Sequence, residues 1–130
     1  HPVEFATLCV LLLDQERNEL TVANAGHLRP LILENGKSSY LEVDGPMLGL
    51  RRPHPPDLVH ELAASWSLVL ITDGLVEDPQ VDLDVALEDL RSTVMYELDP
   101  GLLCERLLER FGRPRFDDIA LLVLRGTPHP

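Results

Sequence analysis

The sequence predicts an α+β fold: a largely antiparallel sheet built by the first half of the chain, then two helices, then one closing strand. Three observations predict it. Short apolar runs alternate with turn signals over residues 5–71, the pattern of antiparallel strands. Beyond Gly74 the apolar spacing changes to threes and fours, a helical period. A final apolar run, residues 119–124, follows directly after Asp117-Asp118.

Taken in order, residues 5–13 are a long apolar run ended by a polar turn, Asp14-Gln15-Glu16-Arg17-Asn18, and residues 20–25 pair back on it. Ala25-Gly26-His27 breaks that strand. Residues 30–33 lead into Asn35-Gly36, a hairpin signal because both residues tolerate positive φ, and Tyr40, Leu41 and Val43 form the return strand. Residues 44–56, rich in Gly, Pro and Arg, read as a loop. Residues 58–62 form a further strand. Residues 67–71, Ser67 followed by four apolar residues, suit a strand buried on both faces. Leu83, Leu87, Leu90 and Val94 then mark one face of a helix. The second helix has Asp99 as cap, Pro100 in its first turn, Leu103, Leu107 and Phe111 on one side, and Gly112 to end it. Residues 126–130 read as a loose tail.

A length of 130 residues fits one compact domain. With 22 acidic against 11 basic residues the net charge is −11. Phosphate backbones and anionic lipid would repel such a chain, which argues against nucleic-acid and membrane-surface partners. Its carboxylates serve solubility, or gather for divalent cations. No apolar run approaches the roughly 20 residues that span a bilayer and no signal peptide is visible, so the expected location is cytoplasmic. Cys9 and Cys104 sit among apolar neighbours and read as small buried hydrophobes in a reducing compartment. The chain opens at His1-Pro2 without a Met, which points to a piece of something longer.

Two places carry candidate chemistry. Asp73-Gly74 lies at the C-terminal end of a buried strand, and Asp117-Asp118 at the start of another. Should those strands run antiparallel and adjacent, Asp73 and Asp117 converge on one sheet edge, although they stand 44 positions apart. Carboxylates brought together repel one another unless a cation neutralises them, and hard cations such as Mg²⁺ and Mn²⁺ prefer oxygen ligands. Gly74 permits a close turn there. The plain alternative is that Asp-Gly after a strand is just a turn.

At this point the residues resemble a known family. Thr72-Asp73-Gly74, within residues 68–77, is similar to the Thr-Asp-Gly motif of SpoIIE- and RsbU-type phosphatases, the bacterial branch of the metal-dependent (PPM, type-2C) serine/threonine protein phosphatases. Phe5-Ala6-Thr7-Leu8 resembles the family's Thr-bearing strand, residues 24–31 its Ala-Gly-His segment, Pro46-Met47-Leu48-Gly49-Leu50 its Leu-Gly loop, and residues 117–123 its closing Asp-Asp strand. The resemblance implies an αββα sandwich flanked by helices and truncated at its N-terminal side, with residues 1–125 the C-terminal portion of the phosphatase domain. It implies that Asp73 and Asp117 are metal-binding and catalytic, with Gly74 at the metal site. Two Mn²⁺ or Mg²⁺ ions, about 3.5–4 Å apart, would activate a water for in-line attack on phosphoserine or phosphothreonine. The family's earlier Gly-Asp pair and Gly-His-Gly segment have no counterpart before Phe5, so a complete two-metal centre needs more than this chain.

The resemblance also implies a phosphorylated anti-sigma-factor antagonist as protein substrate in bacterial signalling. A second reading is a non-catalytic fragment or a degenerate phosphatase fold serving protein interaction. Uncovered sheet edge near residues 5–13 then invites a homodimer. Other residues keep two readings each. His27 is a turn histidine bonded to backbone or a neighbour of the active site; Glu77 is a solvated carboxylate or orients a metal-bound water. Asp118 is a supporting or capping acid, in preference to a metal ligand; Arg51 and Arg52 are solvent-exposed or meet a phosphorylated substrate; Trp66 has a single reading, covering the core.

Overall fold

A computed structural model describes residues 4–95, 99–112 and 118–127. Seven strands and two helices appear in the order β1 (Leu8–Asp14), β2 (Glu19–Ala25), β3 (Leu31–Glu34), β4 (Lys37–Tyr40), β5 (Leu58–Glu61), β6 (Trp66–Ile71), α1 (Leu83–Val94), α2 (Pro100–Phe111) and β7 (Leu121–Gly126). The strands form two antiparallel sheets, one ordered β1-β2-β5 and the other β4-β3-β6-β7. The α+β prediction is met.

Local chemistry explains the corners. Asp14 Oδ1 accepts from the backbone N–H groups of Glu16 and Arg17 at 3.1 and 3.0 Å, closing the turn after β1. Asn18 takes φ 53° there and donates to the carbonyls of Leu62 and Ala63. Asn35 and Gly36 both have positive φ, 52° and 72°, and Glu34 pairs with Lys37 across a two-residue loop. The return strand therefore begins at Lys37 and ends at Tyr40, earlier than the apolar pattern predicts. Leu41 and Val43 are buried without belonging to it.

The sheets face one another across a core of Leu20, Val22, Ile32, Trp66 and Leu68, among others. The opposite face of the four-stranded sheet packs under both helices through Leu31, Val69, Ile71, Leu90, Val94, Leu103, Leu107 and Phe111. Residues of β6 are thus buried on both sides, as its apolar run predicts. Removing each such side chain from water contributes about 1.5–3 kcal/mol. In α2 the Asp99 side chain accepts from Gly101 N–H, Pro100 begins the helix and Leu103, Leu107 and Phe111 are its buried residues. Gly112 ends it at φ −78°, where a Cβ would lie 2.4 Å from the Leu108 carbonyl oxygen. Close approach, not left-handed backbone, selects glycine there. The buried face of α1 is rotated from the predicted stripe: Leu83 is exposed, and Ala86 takes its place beside Leu90 and Val94.

Gly126 belongs to β7 and pairs with Trp66, so it is not the start of a tail. A Cβ on it would meet the Trp66 ring at 2.2 Å, which is why the closing strand carries a glycine there. Both cysteines are free and half-buried rather than buried, and burial raises the pKa of Cys9. Among the described residues no helix is long and apolar enough to cross a membrane.

One sheet is backed by helices and the other is not. On the outer side of β1, Leu8, Val10 and Leu12 are 48%, 50% and 67% exposed, and no helix of the described residues covers them. The sandwich is also open between β1 and β7. Leu122 and Leu124 stand opposite Leu70 and Leu68, on the inter-sheet face, yet both are exposed.

Candidate functional site

Strand polarity gathers the segments of interest at one end of the sandwich. β1 starts where β2 ends, with Leu8 opposite Ala25. β3 starts, and β6 ends, beside them, with Leu31 opposite Val69. β7 starts there as well, since Ile71 pairs with Leu121. β6, which leads into Asp73, and β7, which follows Asp118, are therefore adjacent and antiparallel, the condition the sequence reading set for those two strands.

Pairing continues past the strand ends. Thr72 N–H donates to the Ala120 carbonyl at 3.0 Å, and Ala120 N–H donates to Thr72 Oγ1 at 2.8 Å. Thr72 is thus a clamp between the end of β6 and the segment entering β7, a role that sequence reasoning missed. Its signal was a β-branched hydroxyl residue immediately before an acid.

Asp73 follows the clamp, exposed, and opens a 3₁₀ turn, Asp73–Leu75. Its carbonyl accepts from Val76 N–H and Glu77 N–H at 3.0 and 2.9 Å, and Gly74, Leu75 and Val76 are buried beneath it. The backbone under the carboxylate is thereby fixed while the carboxylate faces water. Asp118 is described and exposed. Asp117 lies outside the described residues. Among the described residues no three His, Cys, Asp or Glu side chains group as a metal site. The donors on hand are carboxylate and carbonyl oxygens, the type that hard divalent cations prefer.

The remaining segments meet nearby. Ala6 and Leu48 exchange backbone hydrogen bonds at 3.1 and 2.8 Å, and Gly26 N–H donates to the Gly45 carbonyl at 2.8 Å. Gly26 has φ 69°, with Met47 packed where a Cβ would stand. Asn24, buried, donates to the carbonyls of His27 and Val43 and accepts from His27 N–H, so it holds this corner together. His27 Nδ1 bonds the Leu28 carbonyl at 2.8 Å. That is the turn-histidine geometry, with the ring engaged locally.

Arg29 makes two hydrogen bonds to Asp44, at 2.8 and 2.6 Å. The Arg29 bond holds the Asp44 carboxyl below its ordinary value, against burial, which raises it. Arg51 and Arg52 are exposed, and Trp66 is buried in the inter-sheet core.

The family profile of Stage II sporulation protein E (SpoIIE) matches residues 1–127. No curated protein matches the chain. Among solved structures, it is similar to the RsbU and RsbW domains of Rv1364c from Mycobacterium tuberculosis, at 26% identity and TM-score 0.78, over 95% of this chain and 38% of that one. RsbX in complex with magnesium is similar at 19% identity and TM-score 0.72, with 92% of this chain and 55% of that one covered. The phosphatase domain of the cell fate determinant SpoIIE from Bacillus subtilis is similar at 16% identity and TM-score 0.70, with 96% and 60% covered. The chain spans less than two thirds of each of these relatives.

Proposed function

We propose that this chain, which belongs to the SpoIIE family, is the later part of a metal-dependent phosphatase domain that hydrolyses phosphoserine or phosphothreonine in a protein substrate. The observation that carries this reading is the β6–β7 pairing, extended by Thr72 and Ala120, which brings the end of β6 against the segment entering β7.

In this reading Asp73, the Gly74 carbonyl and Asp117 would hold Mn²⁺ or Mg²⁺ together with groups outside this chain. A magnesium complex of the similar RsbX supports that cation type. When bound, such ions supply Lewis-acid polarisation of phosphoryl oxygens and a water of lowered pKa. The chain's own residues do the rest. Thr72 fixes the spacing between the two acidic segments. The 3₁₀ turn holds the Asp73 carboxylate toward solvent on an immobile backbone, and limited reorganisation is what electrostatic catalysis requires.

The proposed substrate is a phosphorylated anti-sigma-factor antagonist, on family likeness, and the proposed location is the cytoplasm. A specific observation favours a second reading. The bare face of β1 and the open side between β1 and β7 suit a protein-interaction module or a homodimer through the exposed edge.

One assay separates the two readings: hydrolysis of a phosphoserine peptide with Mn²⁺, by this chain and by a version extended at its N-terminal side. Activity is expected in the extended form only. Asp73→Asn and Asp117→Asn should each lower its kcat/KM by at least about a hundredfold, the scale of losing one electrostatic group at the transition state. An extended form that is folded and inactive rejects the enzyme reading. Full activity in Asp73→Asn rejects the assignment of the site.

A further inference from the structure

The end of the sandwich opposite Asp73 holds polar groups that phosphate hydrolysis does not use. Ser67, Val69 and Ile71 alternate along the helix-facing side of β6, and Val69 and Ile71 lie in the core beneath the helices. Ser67 is 3% exposed, and its hydroxyl has no hydrogen-bond partner among the described residues. Buried hydroxyls without partners are uncommon because desolvation is not repaid by a new bond.

Ser67 pairs with Leu33 on β3 and with Arg125 on β7, so the three side chains stand in one row on one face. Arg17, Arg29, Arg91 and Arg110 each hold a carboxylate, but Arg125 has no ion pair among the described residues. Ser67 and Arg125 border a cavity of about 620 Å³, whose other walls include Leu33, Ala64, Trp66 and Met95. Glu34 also borders it without competing for Arg125. One of its oxygens is bonded to His60 Nε2 at 2.6 Å and the other accepts from Ala63 N–H at 3.0 Å.

We propose that this cavity binds a small carboxylate carried on an apolar body. The Arg125 fork takes the two carboxylate oxygens, the Ser67 hydroxyl donates to one of them, and the apolar body lies against Leu33 and Met95. Arg125, exposed at the rim, is the one cation of a lining that mixes Leu33, Ala64 and Met95 with Asn35 and Ser65, and in a chain of net charge −11 one cation suits a monoanion. It does not offset a phosphate dianion. The site stands at the far end of β6 from Asp73 and does not depend on the phosphatase reading.

Binding is read by isothermal titration calorimetry, as a saturable heat. The chain is titrated with hexanoate, hexanol and inorganic phosphate at neutral pH. Hexanoate should give a saturable change, with hexanol at least tenfold weaker and phosphate giving none. Arg125→Ala should weaken hexanoate at least tenfold, and Arg125→Lys less. If circular dichroism shows Arg125→Ala unfolded, Ser67→Val, a β-branched residue suited to the strand, should show the same tenfold loss. No saturable response to hexanoate, equal binding of hexanol, tighter binding of phosphate, or unchanged affinity in the folded variants overturns the proposal.

Discussion

The two sheets are built from similar apolar runs yet live in different surroundings. In the four-stranded sheet β6 is covered on both faces, by the other sheet and by α1 and α2, and is buried almost throughout, although Leu122 and Leu124 of its edge strand β7 stay exposed. The three-stranded sheet is covered on one face only, and β1 presents Leu8, Val10 and Leu12 to solvent. Apolar sequence alone did not distinguish them, because residues 5–13 and 67–71 are both strand-like runs. Cover, supplied by segments distant in the chain, makes the difference.

The sharpest way to test that contrast is to remove matched leucines. Leu107 is fully buried between α2 and the covered sheet, so Leu107→Ala should cost about 2–5 kcal/mol, read as a lower urea midpoint at unchanged slope. Tyr40 comes next. Burial raises its pKa, and its hydroxyl donates to the Leu87 carbonyl at 2.5 Å, tying β4 to α1. Tyr40→Phe should cost about 1 kcal/mol by leaving that carbonyl without its partner. On the bare face, Leu12→Ser should stay within about 0.5 kcal/mol of the parent. A cost as large as that of Leu107→Ala would mean that something covers β1. A second copy would then show in the molecular mass by light scattering, and the contrast between the sheets would fail.

The smallest effect concerns the Arg29–Asp44 pair. Asp44 has a lower pKa folded than unfolded, so the pair stabilises the protein above the ordinary carboxylate value of 3.8 and its contribution fades as pH falls below it. Both side chains are largely exposed, which limits the contribution to about 0–1 kcal/mol. Arg29→Ala should therefore lower stability slightly at pH 7 and leave it unchanged near pH 2.

Legibility followed how local the determinant was. All of α2 could be read in advance, because its cap, its proline, its apolar stripe and its terminal glycine lie within fourteen consecutive residues, 99–112. The Asn35-Gly36 hairpin was legible for the same reason. The face of α1 was less so: Leu83 begins the helix, and the packing of its first turn leaves that leucine outside while the small Ala86 goes in. The end of β7 was misread because the partner that demands Gly126 is Trp66, 60 residues earlier by position number. At the candidate site, the two acidic motifs were visible, and the antiparallel pairing of β6 with β7 is the part of the condition that the described residues show. The Thr72–Ala120 clamp was not visible, since it depends on the register between segments 48 positions apart.

That clamp has a consequence for how the protein is made. Among the described residues β7 follows every other strand, and the surroundings of Asp73 are unfinished until β7 docks beside β6. A nascent chain that has released β1 to β6 from the ribosome has Asp73 but not the strand that pairs beside it, and in the proposed reading it is expected to be silent. Under the proposed function, competence would wait for β7, and a chain cut short before that strand would not act.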